Sequence, residues 1–106
     1  MTLNYVFVVD AGEVPEGEAR VFDLGEASVA ICQVNGEIHA VEDLCTHDDG
    51  PLGEGSLHGC ELECPRHGAR FDVRTGAATR MPAAAPVRVF PVKVEDGRIY
   101  VAVESE

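Results

Sequence analysis

Two short stretches of this chain each set a thiol close to an imidazole. Cys45-Thr46-His47 is followed by sixteen residues and then by Cys64-Pro65-Arg66-His67. A soft thiolate and a neutral imidazole within one tight loop can grip one side of a metal centre. Any fold that uses both stretches must bring two loops together at one point. Zinc is one candidate, because two Cys and two His also make a structural zinc site. Zinc modules usually pair Cys with Cys and His with His, whereas here each pair is mixed. A 2Fe–2S cluster accommodates a mixed set directly, with both Cys on one iron and both His on the other.

The rest of the chain reads as strands. Residues 4–9 and 19–24 are short β-rich runs separated by a loop with Pro15 and Gly17. Residues 29–34 and 37–41 flank Asn35-Gly36, a dipeptide favoured in two-residue hairpin turns. Near the end Asp96-Gly97 repeats the signal, setting Glu95 opposite Arg98 and Val94 opposite Ile99. No stretch shows helical periodicity with caps. Residues 43–82 are different: rich in Gly, Pro, His and Cys, with little alternation, the mark of a long functional loop region. The expected organisation is one all-β domain, 1–106, with a base of 1–42 and 83–106 and an insertion at 43–82.

Length and charge narrow the function. The 106 residues make one ordinary domain. The net charge of −11, with only eight Lys and Arg, argues against nucleic acid or an anionic membrane surface. A basic protein patch is the more natural partner. The apolar run at residues 5–9 has no basic segment before it and is too short for a signal peptide or a membrane span. With His interleaved among the four Cys, a metal site in the cytoplasm is expected rather than two disulfides. No catalytic triad, Walker loop or dinucleotide fingerprint is present, so an enzyme is not expected.

From Cys45 to Gly76, in CTHDDGPLGEG and then ECPRHGARFDVRTG, the chain closely resembles the Rieske ferredoxins. The resemblance extends over nearly the whole chain, and the spacing of all four ligands follows the family pattern. It implies an antiparallel β sandwich or barrel base with a small inserted cluster-binding subdomain. It implies one Rieske-type 2Fe–2S cluster held by Cys45, His47, Cys64 and His67. It also implies a one-electron shuttle from a flavin-dependent ferredoxin reductase to a terminal non-haem iron oxygenase of the aromatic-ring-hydroxylating type. Other readings are a Rieske carrier serving cluster assembly, a structural zinc-binding interaction module, and a nitrite reductase small subunit; the last typically lacks these ligands. High-potential Rieske proteins carry a disulfide at positions corresponding to Gly50 and Arg66, and Ser and Tyr hydroxyls at those of Ala69 and Phe71. Their absence here implies a low potential.

The remaining Cys and His have plainer expectations. Cys60 reads as a loop thiol, and Cys32 as a small buried residue in a strand. The Asn35-Gly36 turn sets Cys32 opposite His39, which could be half of a second metal site, though packing is the default. His58 is expected in solvent between the ligand loops. Asp48 and Asp49 could guide a basic partner, and Arg66 and Arg70 could pair with local carboxylates. Pro82 resembles the family's proline loop. Pro51, Leu52, Pro82 and Ala83 are expected to form an apolar collar around an exposed His47 and His67 tip, where the electron leaves.

Overall fold

The computed structural model describes residues 2–25, 27–46, 50–81, 83 and 85–105. Among these residues three antiparallel sheets account for nearly all regular structure, with one short 3-10 turn at Ala11–Glu13. The first sheet orders β1 (Thr2–Asp10), β11 (Arg98–Ser105) and β10 (Val92–Glu95). The second orders β2 (Ala19–Asp23), β3 (Ser28–Val34), β4 (Glu37–Glu42) and β9 (Val89–Phe90). The third is a meander of β5 (Leu57–His58), β6 (Glu61–Glu63), β7 (Arg70–Asp72) and β8 (Ala78–Arg80).

Both expected hairpins form in the expected register. Asn35 and Gly36 take φ of 53° and 79°, and Asp96 and Gly97 take 52° and 74°. Positive φ at both central residues gives the turn whose twist matches paired strands. Across the first turn Cys32 faces His39, and across the second Val94 faces Ile99 and Glu95 faces Arg98.

Sheet order explains a pattern that simple alternation does not. β3 is buried almost continuously from Val29 to Cys32, because the second sheet is covered on both faces. Val29 and Ile31 point toward the first sheet, packing with Ala40, Phe90, Ile99 and Val101. Ala30, Cys32 and Val34 point the other way, into a cluster with Cys45, Leu52, Leu62, Cys64 and Phe71. The chain is therefore three layers deep, and the second core lies between the middle sheet and the segment carrying the metal-binding pattern. Phe71 is the largest fully buried side chain there, worth about 1.5–3 kcal/mol of apolar burial.

Candidate metal centre

The first Cys loop leaves the end of β4. Asp43 N–H donates to the Ser28 carbonyl (2.9 Å) and Cys45 N–H to the Gly50 carbonyl (2.8 Å). The Asp43 carboxylate closes the loop by accepting the N–H groups of Leu52 (2.9 Å) and Gly53 (2.5 Å). Gly53 is required at that closure, because a Cβ there would meet the Val21 side chain at 2.3 Å. The second loop joins β6 to β7. Cys64 N–H donates to the Ala69 carbonyl (2.6 Å), and Gly68 N–H returns to the Cys64 carbonyl (3.1 Å). Gly68 takes φ of 76°, which lets the chain reverse over four residues. A third segment reaches the first loop where the Thr46 hydroxyl donates to the Ala85 carbonyl (2.6 Å).

The two thiols face one core. Cys45 and Cys64 are 0% and 1% exposed, share one buried cluster, and neither forms a disulfide. His67, three residues beyond Cys64, is exposed. His47, Asp48, Asp49 and Pro82 lie outside the described residues. Among the described residues no three Cys, His, Asp or Glu side chains converge on a single point. A two-iron centre takes a pair of donors on each iron. Two inward thiols in an apolar wall, with an imidazole on the outside, are a donor set that a 2Fe–2S cluster fits.

The other thiols and imidazoles serve packing and ion pairs. Cys32 is fully buried, and burial pushes its thiol up to about 12, so it stays a neutral hydrophobe. Its neighbour His39 gathers no further donors into a metal set among the described residues. Cys60 is partly buried against the same core. His58 is exposed, as expected, but its Nε2 also lies 3.3 Å from Glu63 Oε1. Arg70 binds Glu63 through Nε (2.9 Å) and Glu61 through Nη1 (3.4 Å). The Arg70 hydrogen bond holds the Glu63 carboxyl below the usual carboxylate range. Sequence reasoning left Arg70 without a named partner and missed the Asp43 closure. The register of a hairpin around residues 64–69 pairs Arg70 with Glu63.

The expected apolar collar requires correction. Pro51 is exposed, but Leu52 is 0% and Ala83 5% exposed, and both belong to the interior cluster with the two thiols. Their side chains turn inward, because each is an apolar group that packs into the buried cluster beneath the loops. Ala69 and Phe71 also lie fully inside. No hydroxyl stands at either position.

The chain belongs to the Rieske [2Fe-2S] domain family, whose model matches residues 4–91. It is an electron carrier of the ferredoxin kind, built for one Rieske-type 2Fe–2S cluster, and not itself a catalyst. The ferredoxin component of the naphthalene 1,2-dioxygenase/salicylate 5-hydroxylase systems of Ralstonia sp. is 36% identical, covering 98% of this chain and 100% of that one. The ferredoxin of carbazole 1,9a-dioxygenase from Nocardioides aromaticivorans IC177 superposes with TM-score 0.91 at 35% identity, over 95% of this chain and 99% of that one. A chain in the complex of reduced oxygenase and oxidised ferredoxin of carbazole 1,9a-dioxygenase gives 0.88 at 38% identity, over 96% and 95%. No helix among the described residues is long and apolar enough to cross a membrane.

Proposed function

We propose that Cys45 and Cys64 bind one iron of the cluster and His47 and His67 the other. On this reading the chain passes single electrons from a flavin-dependent reductase to a terminal non-haem iron oxygenase in the cytoplasm. The observation that carries the ligand assignment is the placement of two buried thiols at the roots of two loops that meet over one apolar core. The 43–82 segment, which supplies both loops and the whole third sheet, acts as the cluster-binding subdomain on the base formed by 1–42 and 83–106. The oxygenase partner is supported by the relatives' names and by the matching chain's complex with an oxygenase.

When bound, the cluster supplies a one-electron couple whose two neutral imidazole ligands make it easier to reduce than an all-thiolate cluster. The protein's own part is to bury the thiolates, keep water from them, and leave the His67 loop at the surface within reach of a partner. Ala69 and Phe71 offer no hydroxyl to the added negative charge, so the potential belongs at the low end of the Rieske range, about −150 mV. The test is anaerobic purification with iron, sulfide and zinc analysis, followed by electron paramagnetic resonance of the reduced protein. Two irons, two labile sulfides and a low average g value support the reading. A colourless protein with one stoichiometric zinc overturns it.

A further inference from the structure

The outer face of the third sheet carries a chain of alternating charges. His58 Nε2 lies 3.3 Å, Arg70 Nε 2.9 Å and Arg80 Nη1 3.9 Å from the same Glu63 Oε1, and Arg70 Nη1 lies 3.4 Å from Glu61 Oε1. Strand alternation sorts this hairpin into two sides. Leu62, Cys64, Ala69 and Phe71 are buried, while Glu61, Glu63 and Arg70 face outward between them. Glu63 and Arg70 are also the last paired residues of β6 and β7 before the Cys64–Ala69 loop. The ion pair therefore closes the neck of that loop.

This loop is held at its ends. Its backbone is held by the Cys64–Ala69 and Gly68–Cys64 hydrogen bonds, and residues 65–67 are exposed. The first loop has the Asp43 carboxylate seated on two backbone N–H groups. The second has the Arg70 fork across Glu61 and Glu63 instead, with side chains only 24%, 36% and 30% exposed. A guanidinium suits this task, because its fixed fork can bind two carboxylates at once.

We propose that Arg70 is a positioning residue for the cluster, fixing the neck of the second ligand loop so that Cys64 points inward and His67 outward. The inference rests on the reading that Cys64 and His67 are ligands. A pair that served only general stability would alter the melting temperature and leave the cluster's properties alone. A positioning pair alters the geometry and retention of the cluster.

The experiment compares the cluster-loaded wild type with Arg70→Met, Arg70→Lys and Glu63→Gln. Three quantities are followed: the paramagnetic resonance line of the reduced protein, bleaching of visible absorbance under excess iron chelator, and thermal unfolding. Arg70→Met is expected to broaden the line and lose the cluster on the order of tenfold faster, as for other groups that orient metal ligands. Arg70→Lys restores only part of the lifetime, because one ammonium does not reproduce the fork. If Arg70→Met yields no folded protein, Glu63→Gln, which removes charge without changing shape, carries the same expectation. Wild-type line shape and lifetime in the folded variant overturn the inference even if the melting temperature falls. A wild type without any 2Fe–2S cluster overturns the ligand assignment itself.

Discussion

Four cysteines share this small domain, and their environments assign them different work. Cys45 and Cys64 sit at loop roots, whereas Cys32 is held within a strand with its thiol raised to about 12. Serine at 45 or 64 should give a colourless protein, because a hydroxyl is a poor substitute for the thiolate. Serine at 60 should leave the visible spectrum intact. Serine at 32 should leave it intact as well while costing about 1–3 kcal/mol in chemical denaturation, the penalty for a hydroxyl buried without a partner. Loss of colour in either of these last two would refute the ligand assignment. Ala69 and Phe71 test the account of the potential. Both are fully buried, and the double change Ala69→Ser and Phe71→Tyr should raise the midpoint potential in protein-film voltammetry. A folded double variant with an unchanged potential would rule out missing hydroxyls as the cause.

At the level of elements, what could be read in advance was what depends on short sequence distance. The Asn35-Gly36 and Asp96-Gly97 turns announce their own geometry, and each sets the register of the strands it joins. The mixed Cys and His loops announced a metal by spacing alone. Contacts between segments distant in sequence were not legible. The burial of β3 on both faces depends on which sheets cover it, and the inward turn of Leu52 depends on the distant residues it packs against. The approach of residue 55 to β6 belongs to the same class. A Cβ on Gly55 would lie 1.6 Å from the carbonyl oxygen of Glu63, the residue before Cys64. Gly55→Ala should therefore push the first loop away from the second. The expected cost is about 1–3 kcal/mol or more of stability, with accelerated bleaching of the cluster. Denaturant titration and absorbance measure the two effects. A Gly55→Ala variant as stable and as long-lived as wild type would contradict that close packing.

For the whole molecule, the proposed role requires fast meeting and fast release. A carrier of net charge −11 is drawn toward a basic partner over about 8–10 Å at moderate salt, and added salt screens that attraction. Redox contacts are usually small, which keeps dissociation quick. The second-order rate of reduction by a reductase should accordingly fall as ionic strength rises, while the midpoint potential hardly moves. The place of contact follows from burial. Leu52 lies wholly inside, so replacing it would disturb the core around the thiols and report nothing about docking. Pro51 is exposed next to it, and Pro51→Trp adds bulk beside the first ligand loop without removing a core contact. Lys93, stacked over the rings of Tyr5 and Tyr100 on the first sheet, provides the distant control. Stopped-flow reduction should slow in Pro51→Trp through weaker association and remain unchanged in Lys93→Gln. If Lys93→Gln slows the reaction and Pro51→Trp does not, the electron leaves from the other end of the molecule.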